Sequence, residues 1–401
     1  MVSHLGLFFL INLVSLLLLF SEQYSVLTLY LSVASFGLLI NVPRIFHSVL
    51  LQRERKWRRI RSLDLLSFVF SSIVAIALAL SGLGLWALVV HALLVPVPFV
   101  IDGIKRLSEV KPRRFDAAFL PTLRFGLIRS ATDAVGASRL LLESGFLSFL
   151  VGFVSFGIFG RAIGIAQLLI GSLTQPLVSI LHPVLAGEST NAETKRNIVG
   201  LLLRVSLWIG VPMTLLVVMF PAALVALAFG EGWVGVVALL PLVGVLVLAQ
   251  AVRQILAMVL TSQLMTGLVL LQESLILIAT VGALWVMRDD LPLYIVSMAS
   301  VSWLLNACMS IVILKLELIE VKDLFRMMLG VVLGAMVAVS GGWLFGYSLV
   351  GAELSSSSQI LIAVWVLFSM LVSVRLVDAA ALRRLVGYLP GATLLRTVLR
   401  Y

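Results

Sequence analysis

The chain has 401 residues, 61% hydrophobic and 12% charged, with a formal net charge of +10 and a mean hydropathy of +1.15. Soluble domains carry about a quarter charged residues, so a soluble globular protein is excluded, and repeated apolar runs of about 18 residues or more indicate an all-α, polytopic membrane protein. These runs do not alternate apolar with polar residues, which excludes a β-barrel. The single cysteine, Cys308, excludes a disulfide framework and most thiolate metal sites.

In chain order, the apolar spans between polar breaks predict about twelve transmembrane helices: roughly 4–20, 25–51, 63–81, 85–104, 118–150, 156–186, 198–222, 233–260, 267–287, 291–314, 326–347 and 359–377. The first, MVSHLGLFFLINLVSLLLLF, has no basic leader, and SEQY behind it is not a small-residue cleavage site. It is therefore read as a retained helix, not a signal peptide. The last segment, RLVDAAALRRLVGYLPGATLLRTVLRY, is interrupted by Pro390 and Gly391 and suits an amphipathic stretch at the membrane surface.

The breaks alternate in charge. Those at 52–62, 105–114, 187–197, 261–267, 315–326 and 375–401 hold 21 of the 29 lysines and arginines, while the opposite breaks hold Arg288 alone. The positive-inside rule places the basic side, and with it both termini, in the cytoplasm of a cell-membrane protein. Basic loops facing anionic headgroups also account for the net charge, so nucleic acid is not an expected partner. No break is long enough for a soluble catalytic domain. Walker, Rossmann and HExxH motifs are missing, and GLGLWAL at 82–88 reads as a tight turn, not a phosphate cradle. No catalytic residue, cofactor or metal is expected.

The seven remaining basic residues fall inside spans: Arg44, Arg124, Arg129, Arg139, Arg161, Arg204 and Arg253. A charge at the bilayer centre costs about 2.5–3.5 kcal/mol on insertion scales, so each needs a reason. Arg44 and Arg204 lie near span ends, where long stems reach headgroups. The helix 118–150 is different. Taking Arg129 as about 0°, Asp133 falls at about 40°, Arg139 at about −80° and Glu143 at about −40°, with Thr132 between them. The four charges share an arc of about 120° over about 21 Å of axis, and the i,i+4 spacings allow Arg129–Asp133 and Arg139–Glu143 pairs. Such a stripe either packs against polar neighbours or lines a hydrated cavity. Glu273, alone in LLQESLIL, is either a neighbour's ion-pair partner or an ion-coupling carboxylate.

Three stretches carry a family resemblance. FLVGFVSFGIFGRAIGIAQLLIGSLTQPLVSILHPVLAG (149–187), FPAALVALAFGEGWVGVVALLPLVGVLVL (220–248) and the basic VPRIFHSVLLQRERKWRRI (42–60) occur in the order found in Wzx-type polysaccharide flippases. These belong to the multidrug/oligosaccharidyl-lipid/polysaccharide exporter superfamily. Gly152, Gly157, Ala162 and Pro183 match the central block; Glu143 stands where the family often has Asp, and Phe159 replaces a tyrosine. The family usually has fourteen helices, and the first span here resembles the third. The resemblance thus implies a shortened N-terminal lobe of four helices at 1–104, a basic cytoplasmic linker at 105–117 and a six-helix C-terminal lobe at 118–314. Two additional helices at 315–378 and the tail at 379–401 follow.

It also implies a secondary transporter moving isoprenyl-diphosphate-linked oligosaccharide by alternating access, with membrane lipids around it and a proton or sodium ion as coupling partner. Arg129, Arg139, Arg161 and Arg253 would then supply positive field to the diphosphate, which suits the bidentate arginine fork. Asp133, Glu143 and Glu273 would hold those arginines or exchange protons. A drug exporter of the same superfamily is the alternative within transport, and a membrane-embedded polysaccharide polymerase or ligase the alternative outside it.

Overall fold

The computed structural model describes residues 25–54, 56–108, 120–171, 192–230, 232–287 and 290–319, with the single residues 8, 12, 178 and 185. The expected spans at 4–20, 326–347 and 359–377, the tail, most of the 105–117 linker and the second half of 156–186 lie outside them.

Every regular element among the described residues is helical: α1 Ser25–Arg53, α2 Trp57–Leu80, α3 Trp86–Leu94, α4 Val97–Ser108, α5 Leu120–Leu150, α6 Gly152–Ala166, α7 Ala192–Met219, α8 Pro221–Phe229, α9 Val234–Ser262, α10 Thr266–Val286 and α11 Leu291–Lys315. A π-helical turn, Gln167–Gly171, prolongs α6. Eight stretches among the described residues are long and apolar enough to cross a membrane, so the protein is an all-α, multi-pass membrane protein. Helix α5 is not among the eight: its 31 residues span about 46 Å, but it carries five charges.

Three expectations shift. Helix α2 begins at Trp57 and takes the basic WRRIRS stretch into its first turns, which a reading by apolar runs starts at 63. The span at 85–104 is two helices, because Pro96 and Pro98 lack the N–H groups that would bond Ala92 and Leu94. The expected outer break at 151–157 contracts to a turn at Val151, with Gly152 already opening α6 at φ 82°.

The chain divides into two compact units, Met1–Thr122 and Leu123–Tyr401. In the first, α1 packs on α2, α3 and α4, and Leu51, Ile60, Leu63 and Phe99 form a small core. In the second, α9 is central and packs on α6, α7, α8, α10 and α11. Association inside a bilayer depends on close packing, since lipid is as apolar as leucine. Helices α7 and α9 achieve it reciprocally: a Cβ on Gly210 would stand 2.6 Å from Leu248 Cδ1, and one on Gly244 2.7 Å from Val217 Cγ1. Neither position has room for a side chain. The Asn306 amide of α11 donates to the Ala249 carbonyl of α9 at 2.8 Å, tying the same centre together by a buried hydrogen bond.

Candidate substrate site

Helix α5 explains how charge enters the apolar second unit. Between 125 and 147 its covered positions, 125, 128, 132, 135, 136, 139, 142, 143 and 147, recur at helical spacing and so form one face. Arg139 and Glu143 lie on that face and pair at 2.8 Å, each 12% exposed. Thr132, also on it, returns its hydroxyl to the Ile128 carbonyl at 2.9 Å. The Glu273 carboxylate of α10 reaches Gly136 of α5, where a Cβ would stand 3.9 Å from it.

Glu273 pairs with Arg253 of α9, the two being 13% and 12% exposed. Arg139 lies within electrostatic reach of Arg253. From α11, the buried Tyr294 hydroxyl faces Glu143 closely enough to feel its charge, without meeting hydrogen-bond geometry. Four helices of one unit thus bring two arginines, two glutamates and a tyrosine into one buried group. Among the described residues, the Nε atoms of Arg139 and Arg253 and the Tyr294 hydroxyl are buried without a hydrogen-bond partner. The Gln272 amide, one residue before Glu273, is fully buried and equally unpartnered at both atoms. Buried polar atoms are nearly always satisfied, so this much spare donor and acceptor capacity marks a place built for more than packing.

The other expected site residues lie apart. Arg129 and Asp133 pair at 2.9 Å toward the exposed flank of α5, 47% and 61% exposed. Arg161 is exposed on α6, its guanidinium 5.8 Å from the centre of the Phe229 ring. Tyr294 is the group's member that charge counting does not reach, and Gln272, the buried amide next to Glu273 in sequence, is one that charge counting also passes over. Their signal is a lone polar side chain in an apolar span, LPLYIVSM for one and LLQESLIL for the other. Among the described residues no three His, Cys, Asp or Glu side chains gather in a way that could hold a metal.

The fold and this group define a multi-pass helical membrane protein with an ionised centre buried in one of its two units. The family model for polysaccharide biosynthesis proteins matches residues 1–238, and the chain belongs to that family. Among solved structures it resembles the lipid II flippase MurJ in its inward closed conformation, with a TM-score of 0.63 and 10% identity, over 93% of this chain and 82% of that one. No curated protein matches it.

Proposed function

We propose that the chain is a secondary flippase that carries isoprenyl-diphosphate-linked oligosaccharide across the cell membrane for polysaccharide assembly. The observation that carries this reading is the buried group of Arg139, Glu143, Arg253 and Glu273, which no lipid-facing structure would tolerate. Family membership and the fold shared with a lipid II flippase support it.

The pairing gives the mechanism its form. Removing one partner of a buried ion pair leaves an uncompensated charge and costs about 3–5 kcal/mol. An incoming diphosphate avoids that cost when its oxygens replace a glutamate on the arginine fork, so every arginine stays neutralised throughout. The displaced Glu143 or Glu273 then takes a proton or a sodium ion. Release on the far side reverses the exchange. Arg129 and Asp133 lie on the approach, and Arg161 falls outside the site. The N-terminal lobe is residues 1–104 and the C-terminal lobe 118–314, rocking about the 105–117 linker with both termini cytoplasmic. The charge asymmetry of the loops supports that orientation. No bond is made or broken.

The test is transport of labelled lipid-linked oligosaccharide in proteoliposomes, with and without proton and sodium gradients. A gradient-dependent rate above protein-free liposomes is expected, lost in Arg139→Glu. Full transport by that charge-reversed variant would remove the group from the pathway.

A further inference from the structure

The first unit holds a second set of ionisable groups that the flippase reading does not use. His47 of α1 is 1% exposed, and its Nε2 lies 2.8 Å from Asp102 Oδ2 of α4. Arg59 of α2 closes on the same carboxylate, with Nε 3.0 Å from Oδ2 and its terminal nitrogen on Oδ1. The burial is graded: the imidazole is enclosed, Asp102 is 15% exposed and Arg59 is 59% exposed. The carboxylate therefore joins a buried base to a guanidinium that reaches solvent.

Among the side chains the structure describes on these helices, the other charged groups are paired or exposed. Arg44 of α1 lies over the Phe99 ring and donates to Asn41. Arg61 pairs with Asp64 on α2, and Arg53 and Arg58 are exposed. Helix α3 contributes half-buried His91 as its titratable group. Among the described residues, the groups acting on Asp102 are Arg59 and His47.

The Asp102 carboxylate only accepts, so a neutral imidazole bonding to it would donate from Nε2–H. Nδ1 then carries a lone pair, and it is buried with no partner among the described residues. That lone pair is the one vacant proton-binding position of the cluster. A Cβ on Gly103 would stand 2.7 Å from His47 Cγ, so the ring rests directly on the α4 backbone and its state is felt there at once.

We propose that His47 Nδ1 is a proton-binding site, and that the proton competes with Arg59 for Asp102. A proton from bulk water adds to Nδ1 and leaves an imidazolium, so two cations then share one carboxylate. The buried imidazolium has nowhere to go, whereas the exposed guanidinium regains full hydration by swinging away. The site then holds the same net charge, with imidazolium replacing guanidinium. Protonation thus exchanges an α2–α4 tie for a tightened α1–α4 tie.

The experiment uses the full chain in lipid nanodiscs with Cys308→Ser and an environment-sensitive fluorophore at Ser62→Cys, one turn along α2 from Arg59. The emission is expected to change reversibly as the buffer is taken from alkaline to acidic pH. In parallel, the carbon-13 signal of His47, read after His4, His91 and His182 are replaced by glutamine, is expected to report a protonation change. His47→Gln and Arg59→Gln each abolish the fluorescence change; Arg59→Gln alters an exposed side chain, so it decides the matter even if His47→Gln fails to fold. A flat fluorescence profile in the parent, an unchanged profile in Arg59→Gln, or a His47 signal that does not titrate would overturn the proposal.

Discussion

Replacing Glu273 by leucine leaves the Arg253 guanidinium, 12% exposed, without its counter-charge. One-sided loss of a buried pair costs about 3–5 kcal/mol, while replacing both partners by apolar residues is neutral or stabilising by about 1–4 kcal/mol. A chain unfolded within a membrane still finds polar partners, which trims such terms, so Glu273→Leu is expected to cost about 2–3 kcal/mol. Arg253→Met strands Glu273 in the same way at a similar cost, whereas the Arg253→Met/Glu273→Leu double variant is expected within about 1 kcal/mol of the parent, so the two changes are far from additive. Reversible unfolding of the full chain in mixed micelles, followed by the fluorescence of its eight tryptophans, measures all three. Transport separates structure from function: the double variant regains stability but stays inactive. A double variant less stable than either single one would refute the pairing energetics. A stable double variant with parental transport would refute the site.

Gly244→Ala drives a methyl group against Val217 and is expected to destabilise the second unit by about 1–3 kcal/mol. Val217→Ala in the same chain should recover most of that loss in the same unfolding assay. Arg161→Gln removes only an exposed cation–aromatic contact, so a loss of about 0.5–1 kcal/mol with transport retained is expected. Arg139→Gln should abolish transport in the same proteoliposomes. In a Cys308→Ser background, Leu83→Cys should react with a membrane-impermeant thiol reagent on intact cells and Gln52→Cys only after lysis; the reverse pattern would invert the orientation.

Helix α5 marks how far sequence reasoning reaches. The i,i+4 spacing of its charges correctly identifies both ion pairs, since a helix fixes which side chains are neighbours. It does not locate the middle of the covered face, which falls near Arg139 and Thr132, with Arg129 and Asp133 on its exposed flank. That offset is set by what α10 and α11 present, and periodicity within one helix is silent about neighbours. Glu273 shows the same limit: one carboxylate in an apolar run signals a partner without naming Arg253 some twenty residues earlier. The His47–Asp102–Arg59 cluster escapes a search that counts only bases inside spans. Asp102 in PFVIDGIK is as anomalous there as any arginine. The break in 85–104 is legible in the sequence itself, since Pro96 and Pro98 fall inside that span and can bend it.

That break between α3 and α4 has a mechanical consequence. Pro96 leaves the Ala92 carbonyl without its helical donor, and that oxygen lies opposite Gly37 of α1, where a Cβ would stand 3.9 Å away. A continuous helix transmits torque along its length as a stiff rod; two half-rods meeting at a proline joint do not. Helix α4, which carries Asp102, is therefore less stiffly coupled to α3 than the two halves of a continuous helix would be. A charge added beside Asp102 would act on a lever of about three turns, not on a whole membrane span.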